Sequence, residues 1–445
     1  VLLRAVTEAA AAGRPLAVVF VLDPSLTAPS GPNRLAYLLR TLRSLRQDGL
    51  PLVVRTGDPA RELVELARRT GATTVRATAE FTPTGIARDR RVGAALAAAG
   101  VTLETAASPY AAEPGTVASG AGTGFRVFTA FHRVWLEAVR DLVPFPALDP
   151  RQPDVRWADV EPGDIPGDPA GVAPGLPEAG EHAAWARWAS FRDHHLDGYA
   201  TVRDVPGMDA TSRLSADLKY GVVHPRSLLP ELRTARLRSG PWVFRSELGW
   251  REFYADVLFR RPETRTRAVD PMMESMAVDT GPEADRRFDA WCEGRTGFPF
   301  IDAGMRQLLA EGWMHNRVRM AVASFLVKDL HLDWRRGAAH FMEHLVDGDI
   351  ASNTHGWQWV AGTGTDAAPY FRVFNPVTQG RRYDPEGVYV RRWVPELAAV
   401  TGDVHQPGAN AGGRPGAAAY PGPIVDHAAE RLEALARHRE VRGRR

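Results

Sequence analysis

The chain is 445 residues long, 44% hydrophobic and 24% charged, which is enough for two domains with proper cores. Its single cysteine, Cys292, excludes an internal disulfide and fits a reducing compartment, while a formal net charge of +2 excludes binding to nucleic acid through a global basic field. No apolar run approaches a membrane span, and the opening VLLRAVTEAAAAG reads as an amphipathic helix rather than a signal peptide, so a cytoplasmic, monomeric protein is expected.

Residues 1–140 alternate short apolar runs with helical patterns, which predicts βα units and a parallel, Rossmann-like sheet. The strands are expected at 15–23, 50–57, 73–78 and 101–106. Between the first two, Leu35, Leu38, Leu39, Leu42 and Leu45 fall on one helical face that ends at Gly49. Asp58 followed by Pro59 is a cap with a first-turn proline, and that helix should close at Gly71. There is no GxGxxG after the first strand and no P-loop, so no motif places a nucleotide in this domain.

From 141 to 180 there are nine prolines among glycines and acids, a composition that reads as an interdomain linker. Residues 181–445 then turn helical, with no further strand pattern. Eight of the chain's twelve tryptophans lie between Trp242 and Trp393, so the aromatic chemistry belongs to this half. Thr211, Ser212, Arg213, Leu214 and Ser215 sit at a helix start and suit an anion, although the same string is commonly just a capped helix.

Glu247, Trp250, Arg251 and Tyr254 follow at i, i+3, i+4 and i+7, one face of a helix. Trp313 precedes Asn316, Arg317, Arg319 and Met320 in what reads as one helix, with Asn316 and Met320 a turn apart. DGDIASNTHGWQW (347–359) then packs Asp347, Gly348, Asp349, Asn353, Trp357 and Trp359 into thirteen residues: anchors for a polar cofactor, an amide able to face a heterocycle, and planes for stacking. A local cationic patch for nucleic acid could draw on Lys328, Arg335, Arg336, Arg372, Arg381, Arg382, Arg391 and Arg392. The segment 405–423 is Gly/Ala/Pro-biased, the last residues form an amphipathic helix expected to be solvated, and no metal site is expected.

The DGD, Asn353, WQW and the following TGTDAAPYFRVFNP resemble the DNA photolyase/cryptochrome family, and within it the class I cyclobutane pyrimidine dimer photolyases. WMHNRVRM (313–320) is similar to that class, because six-four photolyases carry a second histidine at the position of Asn316. The resemblance implies an α/β N-terminal domain that holds an antenna chromophore, and an all-α C-terminal domain that holds FAD. Relatives begin with a strand before the first helix that is not seen here, so the sheet is expected to lack its first strand. Thr84 and Gly85 stand where folate-binding members carry an Asn-Glu pair, which disfavours folate and leaves deazaflavin, or no antenna, as the expectation.

By the same resemblance, Tyr199, Thr211, Ser212, Arg213, Leu214, Ser215, Arg251, Arg319, Asp347, Gly348, Asp349 and Asn353 would hold FAD. Glu247, Trp250, Asn316, Arg317, Met320, Trp359, Arg372 and Gln379 would meet UV-damaged DNA and its flipped-out dimer, with Glu247 best protonated by burial. Trp357 and Trp334 match the inner members of a tryptophan relay whose outer position falls near Gly281, where there is no indole. The implied activity is light-driven splitting of the dimer by FADH⁻; the alternative is a cryptochrome, a flavin photoreceptor without repair activity.

Overall fold

The computed structural model describes residues 1–145, 155–365, 371–409 and 419–443. Four short strands form in the N-terminal part: β1 (Val18–Leu22), β2 (Leu52–Thr56), β3 (Thr74–Thr78) and β4 (Thr102–Ala106). β1 pairs in parallel with β2, Val18 opposite Leu52, and β3 with β4, Thr74 opposite Thr102. The helices between them, Pro32–Gln47, Pro59–Thr70 and Pro83–Ala98, each open on a proline, whose missing N–H costs nothing in the first turn. Asp58 accepts from the backbone of Ala60 and Arg61, and Gly71 closes that helix at φ 68°, a conformation that favours glycine.

The expected single sheet is instead two separate pairs, β1-β2 and β3-β4. β1 and β3 share no ladder, and a cavity of about 750 Å³ is lined by Val18 and Val19 of β1 together with Thr74–Thr78 of β3. Each of these strands therefore has a partner on one side only, which short strands flanked by helices tolerate.

The described part of the proline-rich segment is tied down rather than free. Trp157 bridges to Leu16, Val54 donates its N–H to Pro162, and Arg40 and Arg43 both pair with Asp168. Beyond Glu181 the described residues are helical or looped. One aromatic core gathers Phe128, Phe131, Trp135, Trp188, Phe191 and Phe253, and a second gathers Trp291, Phe300, Phe325 and Trp357. The N-terminal part docks through Tyr37, fully buried, which donates to Asp217, itself paired with Arg187 at 2.8 Å.

Two helical expectations need correction. Trp313 is not on the helix of Asn316: the preceding helix ends at Gly312 (φ 63°), and Asn316–Lys328 restarts with His315 as its cap. The last helix, His427–Gly443, is not simply solvated, because Arg437 pairs with Asp279 at 2.8 Å, His331 with Glu430 at 2.8 Å, and Ala434 and Val441 are buried. Much of 405–423 and residues 366–370, including Tyr370, lie outside the described residues.

Candidate active site

Four helices enclose a cavity of about 490 Å³: Gly240–Arg260, Asn316–Lys328, Trp334–His344 and Ile350–Ala361. The first contributes Glu247, Trp250, Arg251 and Tyr254, the one face that its i, i+3, i+4, i+7 spacing dictates. Asn316, Arg317, Arg319 and Met320 enter from the second, and Asn353, Trp357 and Trp359 from the fourth. Trp250 is fixed from behind by Phe128, stacked at 3.7 Å between ring centroids, so its free face is held as a flat wall.

The loop between the last two helices supplies the charge. Asp347 is buried, and its Oδ2 accepts from Arg319 at 2.8 Å, while Oδ1 is buried without a donor. A buried acceptor left unpaired is costly unless something bound in the cavity completes it. Asp349 caps Ile350–Ala361 by accepting the N–H of Ser352 at 2.8 Å. Burial would raise its pKa, but Lys219, Arg251 and Ser352 together hold it below the ordinary carboxylate range. Asn353 donates its NH₂ to the Ala338 carbonyl at 2.9 Å, which leaves its own oxygen available to whatever the cavity holds.

Several expected residues lie apart from the cavity lining. Tyr199 is buried against Phe191 and Phe244, behind Arg203. Of the 211–215 string only Ser215 lines the cavity; the helix starts there, with Leu214 at its cap position and the Leu214 N–H donating to the Ser212 hydroxyl at 3.4 Å. Arg213 (φ 50°) pairs with Asp209 at 2.7 Å and Glu311 at 3.2 Å and stacks on Trp313, so it is already neutralised. Trp334 is buried outside the lining, and Arg372 and Gln379 also stand off it, Arg372 exposed and Gln379 half-buried.

Glu247 departs from the enclosed carboxyl expected of it. Its side chain keeps 31% exposure and Oε1 accepts from Arg203 at 2.6 Å, so here it is half of an ion pair. Arg203 lies 44 residues away in sequence, and no spacing could have announced the pair. The cationic patch is also smaller than its sequence suggested: Lys328 is 4% exposed and donates to the Arg372 carbonyl, Arg335 pairs with Glu274, Arg336 with Asp285 and Arg381 with Asp403. His315 was missed as well. Burial pushes it down to about 4, so it is neutral and caps Asn316–Lys328 through Nδ1.

Two family models match the chain: "DNA photolyase" over residues 4–151 and "FAD binding domain of DNA photolyase" over residues 244–440. A deoxyribodipyrimidine photo-lyase of Halobacterium salinarum is 38% identical over 96% of this chain and 92% of its own length. One from Streptomyces griseus is 41% identical over 93% and 89%. Among solved structures, a class III photolyase from Agrobacterium tumefaciens superposes with TM-score 0.86 at 34% identity, covering 99% of this chain and 95% of that one. A cryptochrome of Synechocystis gives 0.84 at 26% identity, covering 97% and 95%.

Proposed function

The chain belongs to the DNA photolyase family, and from that premise we propose that the cavity bounded by Trp250, Trp359 and Asn353 is where an extruded pyrimidine dimer meets FAD. The protein is a light-dependent DNA-repair lyase that splits cyclobutane pyrimidine dimers, and its C-terminal domain binds FAD. The observation that carries the site reading is the joining of Glu247, Trp250, Asn316, Met320, Asp347, Asn353 and Trp359, residues up to 112 positions apart, around one cavity.

The residues present fit the cofactor: the Asp347 oxygen lacks a donor, the Asn353 oxygen is uncommitted, and Arg251, Arg319 and Ser215 offer donors beside them. When bound and fully reduced, FAD supplies the photoexcited electron that opens the cyclobutane ring. The chain's own side chains do the rest. A base inside a duplex is unreachable, and extruding one costs about a few kcal/mol, least for a damaged pair that stacks poorly. Trp250 and Trp359 would hold the extruded dimer between apolar planes. Glu247, on entry of the dimer, would exchange its bond from Arg203 for one to the dimer, and the uncharged Asn353 amide would leave negative charge on the reduced flavin unopposed by a carboxylate.

The two strand pairs are read as halves of one Rossmann-like antenna domain, with deazaflavin favoured over folate because Thr84 and Gly85 replace the Asn-Glu pair. The protein is read as a cytoplasmic monomer. The sequence pattern resembles class I while a class III structure superposes on the chain, and the proposal rests on the shared activity rather than the class. The cryptochrome likeness favours a second reading, a photoreceptor without repair. Reduced protein incubated with a thymine-dimer oligonucleotide separates them: light-dependent loss of the dimer is expected, and dimer persisting as in the dark control would overturn repair.

A further inference from the structure

On the outer side of Trp334–His344 a second constellation stands apart from the cavity. His340, Glu343 and His344 present one ligand atom each, all within 4.8 Å of one another. The H-x-x-E-H spacing places the three on one helical turn, and the same spacing carries the two histidine ligands of some zinc peptidases. The imidazole rings of His340 and His344 lie 4.5 Å apart between centroids, and Nε2 of His340 is buried without a hydrogen-bond partner.

Repair gives these side chains no task. None of the three lines the cavity, and His340 packs against Trp291 and Phe288. We propose that His340, Glu343 and His344 bind a divalent transition-metal ion of the zinc class, two nitrogens and one carboxylate oxygen leaving a fourth tetrahedral position to solvent.

Two further features agree. The cluster occupies the last turn of its helix, where the backbone carbonyls favour a cation. Arg336, one turn before His340, is drawn aside by Asp285 at 2.9 Å and lies over the Phe288 ring, which keeps its charge partnered. The ion would clasp the turn that feeds directly into Leu345 and the Asp347–Asp349 loop.

The test is equilibrium dialysis of the flavin-loaded full chain against Zn²⁺, with metal quantified by atomic emission. One equivalent is expected in the parent protein. His344→Gln and Glu343→Gln should each weaken binding roughly tenfold or more, while His182→Gln, an exposed histidine elsewhere, should leave it unchanged. Co²⁺ should give visible ligand-field bands beyond the flavin absorption that vanish in the same two variants. Glu343 is exposed, so Glu343→Gln decides the matter even if a histidine variant fails to fold. Absence of stoichiometric binding, or binding indifferent to both variants, would overturn the assignment.

Discussion

Asn353 and Lys328 show how single side chains were read in different degrees from sequence. Asn353 was recognisable from its neighbours Asp349 and Trp357, but its orientation follows only from the Ala338 carbonyl that takes its NH₂. Asn353→Asp sets a carboxylate against that carbonyl and, in the proposed site, beside the flavin, so reduced flavin should be lost in air roughly tenfold faster or more, as followed by the return of absorbance near 450 nm. Lys328 looked like a surface cation and is instead buried, which pushes its pKa down to about 7 despite the opposing charge of Asp329. The unfolded chain keeps that proton up to the ordinary lysine range while the folded one releases it near 7. Stability attributable to Lys328 therefore rises with pH between those limits. Lys328→Met should accordingly outlast the parent in thermal melts at pH 6.5, with the gap narrowing by pH 9.5; a gap independent of pH would refute the buried lysine.

Among elements, the pair Trp334–His344 and Ile350–Ala361 sets the position of Trp357. The two approach so closely at Gly337 that a Cβ there would lie 2.1 Å from the far edge of the Trp357 ring. Only a hydrogen fits. Gly337→Ala should cost about 1–3 kcal/mol through overpacking, read as a lower denaturation midpoint, with Trp357 displaced and flavin occupancy reduced. The amphipathic helices were legible because their spacing follows from helical geometry alone, as in Glu247 to Tyr254. The break between Gly312 and Asn316 was not, because His315 caps the new helix only by virtue of the burial that holds its ring in place.

Across the whole molecule, the expected electron route from the surface to the flavin would begin at an outer position near Gly281, which is exposed with open space where a Cβ would stand, and continue through Trp334 and Trp357, both buried. Oxidised protein in reductant should therefore photoreduce slowly, while repair by already reduced protein survives. Photoreduction at a normal rate that depends on both tryptophans would contradict this. The docking of the N-terminal part belongs to this scale as well: Tyr37 sits on a helix whose leucine face was read for its own domain, and its opposite face closes onto Asp217 and Arg187.

The sequence by itself determined the change from alternating strands and helices to helices alone, the helix faces and the clustering of DGD, Asn353 and WQW in one short segment, which the structure places on one cavity, since periodicity and local motif need no knowledge of distant partners. Only the tertiary structure decided that Arg203 pairs with Glu247, that Lys328 is withdrawn from any DNA-binding patch, that Arg213 pairs with Asp209 and Glu311, that β1 and β3 stand apart, and that three side chains of one helical turn converge outside the cavity. The reason is common to all of them. Charge pairing, burial and strand pairing depend on which segments meet in space, and residues dozens or hundreds of positions apart leave no periodic trace of that meeting.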